Sequence, residues 1–125
     1  MNMKELMIGD WVYNSESNLY QRVDELHYDC VVLDEYCTYD YADLAPIRIK
    51  EEVLKKNFEE KYGEIYGIYN DYFDLEIHEF SDGVYILHYH CSEFSMPDTQ
   101  IVGICWVHEL QHALRLCGIT KEIEL

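Results

Sequence analysis

The fold turns on one stretch, Phe73-Asp74-Leu75-Glu76-Ile77-His78-Glu79-Phe80-Ser81-Asp82-Gly83-Val84-Tyr85-Ile86-Leu87-His88-Tyr89-His90-Cys91. Asp82-Gly83 is the clearest hairpin signal in the chain, and the residues before it alternate apolar and polar with the period of two that a half-buried strand requires. The register follows from which face each residue must occupy. A two-residue turn at Asp82-Gly83 would set Leu75 and Ile77 on the same face as His88 and His90. A three-residue loop, Ser81-Asp82-Gly83 with Gly83 left-handed, instead aligns Phe73, Leu75 and Ile77 with Leu87, Tyr89 and Cys91. That register separates core from solvent, so it is the one expected. Its polar face then carries Asp74, Glu76, His78, His88 and His90.

Working outward, residues 101–107 are apolar, and a helix is expected over residues 106–117, stopped by Gly118 at the C-terminal cap position. A polar tail, residues 120–125, follows. Toward the N-terminus, Ile49, Val53, Leu54 and Phe58 fall on one helical face, and Glu51 with Lys55 and Glu52 with Lys56 form i,i+4 pairs, which predicts a helix over residues 50–60. Its start has no Ser, Thr, Asp or Asn cap, so the early glutamates must complement the macrodipole, and Gly63 is available to stop it. Before Pro46 the chain reads as short strands, residues 7–13, 20–26, 30–33 and a piece near 41–47, separated by polar turns such as Asn14-Ser15-Glu16-Ser17-Asn18. Gly9-Asp10-Trp11-Val12 followed by a turn and a second strand looks like the opening of an SH3-like barrel. The expected fold class is therefore α+β: a small N-terminal SH3-like antiparallel sheet, a helix, an antiparallel hairpin sheet and a C-terminal helix. No repeat or Pro/Gly-rich linker divides the chain, so residues 1–125 form one compact domain, with sub-lobes at 1–47 and 48–125.

With 125 residues, the chain is long enough to bury roughly two-thirds of the surface that its unfolded form exposes. Its charge excludes more than its length does. Twenty-five acidic residues against 9 basic ones give a formal charge of −16, which opposes close approach to nucleic-acid phosphates and to anionic lipid, because both are bound by Lys and Arg. The same field attracts basic proteins at low salt. No apolar run approaches the roughly 18 residues that a membrane span needs, and the N-terminus has no secretory h-region. The expectation is a cytoplasmic protein that touches neither membrane nor nucleic acid directly, with no cofactor.

Three constellations could carry chemistry. His108-Glu109-Leu110-Gln111-His112 matches H-E-x-x-H, in which two histidines one turn apart can ligate zinc and Glu109 serves as general base. No metzincin extension follows it, and a third ligand is not evident. At about 100° per residue, Trp106, Val107, Leu110, Ala113, Leu114 and Cys117 gather on one side, while His108, His112 and Arg115 fall close to the opposite side. The histidines are thus expected to face solvent with a permanent positive charge beside them and to hold no zinc. His88-x-His90 is a spacing that metals use on strands, but alternating polar residues are also what a half-exposed sheet demands. The third constellation is the N-terminal tyrosines interleaved with acids, of which Tyr28, Asp34, Glu35, Tyr36, Tyr39, Asp40 and Tyr41 are the candidate contacts for a protein partner. Aromatic faces rimmed by carboxylates suit cationic side chains, and tyrosine is a favoured interface anchor. Nucleophilic catalysis has no signature here: the sequence holds no G-x-S-x-G, P-loop or G-x-G-x-x-G.

The stretches Leu-Met-Ile-Gly-Asp-Trp-Val-Tyr from Leu6, Asp-Leu-Ala-Pro-Ile-Arg-Ile-Lys-Glu-Glu-Val-Leu-Lys-Lys-Asn-Phe from Asp43, and Val-His-Glu-Leu-Gln-His-Ala-Leu-Arg-Leu-Cys-Gly-Ile-Thr-Lys-Glu-Ile-Glu-Leu from Val107 resemble a family of short gut-bacterial, Bacteroidales-type proteins, many of them carried on prophages and other mobile elements. The resemblance covers most of the chain and implies no activity. Where that family carries Asn, this chain has His112, which argues against a shared zinc site; Lys50 stands where the family has a capping threonine. Taken together, the sequence points to a non-enzymatic acidic accessory or interaction protein with a basic protein partner. The alternatives are a small zinc-dependent hydrolase using His108, Glu109 and His112, and an acidic mimic of nucleic acid that occupies a basic protein. Oligomeric state is not encoded in any visible pattern.

Cys30, Cys37, Cys91, Cys105 and Cys117 form no C-x-x-C pair, and an odd number leaves at least one thiol unpaired. All five are expected to be free thiols, as in a reducing compartment. Alkylation of the unreduced, unfolded protein should add five labels by mass, and a smaller number would reveal a disulfide.

Overall fold

The computed structural model describes residues 5–34, 37–91 and 98–125. Among the described residues the chain is a mixed α+β structure with two five-stranded antiparallel sheets and two helices, divided into two compact units. One unit comprises residues 1–47 with 106–108, and the other residues 48–105 with 109–125. Neither sheet closes into a barrel.

The first sheet is built from β1 (Trp11–Asn14), β2 (Leu19–Leu26), β3 (Val31–Leu33), β4 (Cys37–Tyr39) and β5 (Leu44–Ala45), in the order β4-β3-β2-β1-β5. A 3-10 turn, Tyr41–Asp43, leads into β5. Alternation decides which face is inside: Val12, Val23, Val31, Leu33 and Leu44 are buried with Leu6, and Tyr39 and Tyr41 pack against them. Trp11 opens β1 with the Arg22 guanidinium 4.8 Å from the ring centroid. Asp10, fully buried just before β1, accepts the Met7 N–H at 2.8 Å and so fixes the turn that delivers the strand. Asn14 does the same at the other end of β1. Its amide donates to Gln21 Oε1 at 2.8 Å and its Oδ1 accepts the Glu16 N–H, closing the β1–β2 turn from inside.

In the second unit, α1 (Glu51–Asn57) leads into β6 (Glu59–Lys61), β7 (Ile65–Tyr69), β8 (Phe73–Ser81), β9 (Val84–Cys91) and β10 (Thr99–Ile104), which order as β10-β9-β8-β7-β6. The expected register holds: Phe73 pairs with Cys91, Leu75 with Tyr89 and Ile77 with Leu87. It is reached by a different route. Ser81 pairs with Val84 across a two-residue turn at Asp82-Gly83, with Gly83 left-handed at φ 73, and the odd residue is a bulge at Phe80. Leu75, Ile77 and Leu87 are fully buried.

α1 starts at Lys50 without a side-chain cap and carries Glu51 and Glu52 in its first turn and Lys55 and Lys56 in its last, the charge order that favours the macrodipole. It ends at Asn57, three residues earlier than expected, and Phe58 is already extended at φ −131 and ψ 157. α2 (Val107–Leu116) ends in a Schellman motif, with the Gly118 N–H donating to Arg115 O and the Ile119 N–H to Leu114 O, both at 2.9 Å; Gly118 sits at φ 73, where a side chain would be strained. Trp106 and the first turn of this helix are grouped with the N-terminal unit.

The polar tail expected over residues 120–125 is an anchored segment. Ile123 is fully buried, and Asn57 grips the backbone of Glu124 from both sides, donating to its carbonyl at 2.7 Å and accepting its N–H at 2.7 Å. The same amide donates to Val53 O at 2.8 Å, and Lys56 Nζ donates to Leu125 O at 2.7 Å. Asn57→Ala removes one side chain yet leaves several backbone groups short of a partner. The expected loss is about 1–3 kcal/mol in urea denaturation, and a change near zero would mean that the tail is not held there.

Candidate functional site

The acidic tyrosine lobe is distributed along β2 to β5. Tyr28 stands in the β2–β3 turn at 89% exposure, the most exposed of the large hydrophobic side chains in the described residues. Asp34, just after β3 and with φ 41, accepts the Arg22 N–H at 3.1 Å through its carboxylate. Asp40 is exposed, whereas Tyr39 and Tyr41 are half-buried on the core. Tyr41 donates to the His27 carbonyl at 2.7 Å, so its hydroxyl braces the turn carrying Tyr28. Glu35 and Tyr36 lie outside the described residues. The lobe therefore offers Tyr28, Asp34 and Asp40 outward and uses Tyr39 and Tyr41 for packing.

The H-E-x-x-H string departs from the solvent-facing arrangement expected of it. His108 is 2% exposed and His112 half-buried; Arg115 alone of the three is exposed. Val107, His108, Leu110, Gln111, Ala113 and Leu114 are all buried, which at about 100° per residue covers more than half the circumference of the helix. A helical wheel assumes one covered face, and α2 has more than one. Glu109 accepts the Cys105 N–H at 3.0 Å, satisfying a backbone donor that precedes the helix in the manner of a capping box. That is a structural use for the residue that a zincin would need as general base. Among the described residues no three His, Cys, Asp or Glu side chains form a metal-binding group.

On the hairpin, the register sets Asp74 opposite His90 and Glu76 opposite His88, with His78 opposite Ile86. The face extends beyond the sequence expectation in both directions. On one side Tyr69 of β7 donates to Glu76 Oε2 at 2.9 Å, and Lys61 Nζ of β6 lies 4.8 Å from the Tyr69 ring centroid. On the other, Asp98 meets both imidazoles. A polar row thus runs from β6 across β7, β8 and β9 to Asp98, the residue before β10.

The second unit has a cavity of about 480 Å³ lined by Glu51, Gly63, Glu64, Ile65, Tyr66, His78, Glu79 and Tyr85, within the usual size range of small-ligand sites. Four separate segments build it: the first residue of α1, the β6–β7 turn running into β7, β8 and β9. Tyr66 and Tyr85 are buried. Tyr66 donates to Glu51 Oε1 at 2.9 Å, and Glu79 stands directly across the ladder from Tyr85. Burial, reinforced by Glu51, pushes the Tyr66 hydroxyl up to about 12. Burial and then Glu79 raise Tyr85 as well. The Glu51 carboxyl is lowered, first by the Tyr66 hydrogen bond and then by Lys55, whose Nζ lies 3.4 Å away. Two phenols kept neutral thus stand among the side chains of Glu51, Glu64 and Glu79, an arrangement suited to an organic cation. The sequence points to this chemistry in the N-terminal lobe, whereas the cavity lies in the second unit. The Glu79–Tyr85 pair was readable from the hairpin register; Glu51 and Glu64 were not, because nothing local joins them to it.

Comparison with protein-family models, with curated proteins and with solved structures finds no match for this chain.

Because the raised Tyr66 ionises later in the folded state than the ordinary 10, its contribution to stability is complete below pH 10 and is lost as pH climbs toward about 12. In Glu51→Gln the ultraviolet titration of Tyr66 should move back toward 10. No movement would mean that the Tyr66–Glu51 bond is not formed.

Proposed function

We propose that this chain is a non-enzymatic, acidic interaction protein of mobile-element type, acting in the cytoplasm, that receives cationic side chains of a basic protein partner. The observation that carries the reading is the cavity walled by Tyr66 and Tyr85 and edged by Glu51, Glu64 and Glu79, set in a chain of charge −16. A lysine ammonium or arginine guanidinium gains both from carboxylate contact and from the ring faces of neutral phenols. The exposed Tyr28, with Asp34 and Asp40 nearby in sequence, offers a second acidic and aromatic patch. Five cysteines without a disulfide are in keeping with a reducing compartment.

For the N-terminal sheet we propose an open relative of the SH3-like arrangement. The strand order β4-β3-β2-β1-β5 and the 3-10 turn before the last strand support it.

The test is a titration with a short oligolysine peptide, followed by amide chemical shifts at low salt and again at roughly 1 M salt, where the Debye length is about 3 Å. Saturable shifts should concentrate at Tyr66, Tyr85 and their strand neighbours, weaken severalfold at high salt and disappear in a Glu64→Gln, Glu79→Gln double variant. Shifts scattered over the whole acidic surface and unchanged in that variant would overturn the reading.

A further inference from the structure

We propose that His88, His90 and Asp98 form a proton-operated clasp that fixes the edge strand β10 onto β9, closed while His90 carries a proton and loosened when it loses it. The two histidines are two residues apart on β9 and therefore project from the same side of the sheet. Thr99 pairs with Tyr89 and Gln100 with His88, and continuing that register by one place brings Asp98 opposite His90. The carboxylate of Asp98 spans both rings, with Oδ1 hydrogen-bonded to His90 Nδ1 and Oδ2 3.7 Å from His88 Nε2. One side chain at the entrance of β10 is thereby tied to two on its neighbour.

Among the described residues, burial does little to hold the first half of β10. Thr99, Gln100, Val102 and Gly103 are exposed, Ile101 is half-buried, and Ile104 is the first buried residue. Between Ile101, opposite Leu87, and Ile104, opposite Tyr85, an extra residue breaks the ladder, with Gly103 at φ 81. The pairing before that bulge spans three residues, so an attachment at its outer end bears directly on whether those pairs persist.

The charged groups around the clasp favour the proton. From β8, Asp74 lies opposite His90 and Glu76 opposite His88; from β7, Tyr69 is hydrogen-bonded to Glu76; from β6, Lys61 lies over Tyr69. Three carboxylates thus face two imidazoles, with Lys61 the cation at the far end of the row. The hydrogen bond to Asp98 and then its charge raise His90 above the ordinary 6.5 against the opposing effect of desolvation, and Asp74 adds the smallest contribution. Asp98 is held below its ordinary 3.8, chiefly by the His90 hydrogen bond. A raised histidine stabilises fully below 6.5 and ceases to do so as pH rises through its folded value; a depressed carboxyl stabilises above 3.8 and ceases to do so as pH falls through its own. Both contributions are complete between 3.8 and 6.5, and the clasp opens on the alkaline side of that window.

The experiment is an NMR titration of the full chain, reading the His90 ring and the hydrogen-exchange protection factors of residues 99–101, which remove the intrinsic pH dependence of exchange. His90 should titrate above 6.5 and return toward it in Asp98→Asn. Protection of residues 99–101 should fall severalfold as pH rises through the His90 midpoint, while Ile77 and Leu87 stay protected; in Asp98→Asn and in His90→Gln it should be low and flat with pH. A His90 midpoint unmoved by Asp98→Asn, or protection of residues 99–101 that ignores the His90 titration, would each overturn the proposal.

Discussion

The placement of one residue, Phe80, governs the second unit. Strand side chains alternate with a period of two, so a slip of one position between β8 and β9 would put Leu75 and Ile77 on the same face as His88 and His90. With a two-residue turn at Asp82-Gly83, only an extra residue on one strand restores the pairing of Ile77 with Leu87. Phe80 is that residue. It is 72% exposed, an unfavourable position for an aromatic ring, yet the bulge keeps three apolar residues in the core and assembles the polar row and the Glu79–Tyr85 edge of the cavity. The local cost is offset by the burial that the register makes available, at roughly 25 cal/mol for each Å² of apolar surface.

An acidic chain has a shortage of cationic donors, and tyrosine hydroxyls make up part of it. Glu51 is met by Tyr66 and Glu76 by Tyr69, each at 2.9 Å. A phenol can donate to a carboxylate without adding charge, and burial keeps it protonated, so the pairing persists where an ammonium would carry a larger desolvation cost. The 12 tyrosines thus serve three uses that composition alone does not separate: packing for Tyr39, carboxylate donation for Tyr66 and Tyr69, and outward display for Tyr28.

How much of this was legible in the sequence varies with the range of the determining interaction. The hairpin partners, the charge order of α1 and the Gly118 cap were readable because alternation, macrodipole and left-handed backbone are local constraints. The route to the hairpin register was not, since a loop of three and a turn of two with a bulge give the same pairs. The end of α1 was misplaced because Asn57 turns its amide to Glu124, a partner at the far end of the chain. β10 escaped notice because its bulge at Val102-Gly103 erases the alternation. The orientation of His108 depended on how many faces of α2 are covered, and periodicity records only the strongest face. The cavity draws on four separated segments, beyond the reach of any short motif.

Both tryptophans of the chain, Trp11 and Trp106, fall in the unit formed by residues 1–47 with 106–108. The other unit contains none and is rich in tyrosine. Indole emission excited at long wavelength is therefore an optical label for one half of the molecule, already installed. Its unfolding transition can be set against that of far-ultraviolet circular dichroism, to which both units contribute, which makes the cooperativity of the two units a spectroscopic question that needs no engineered probe.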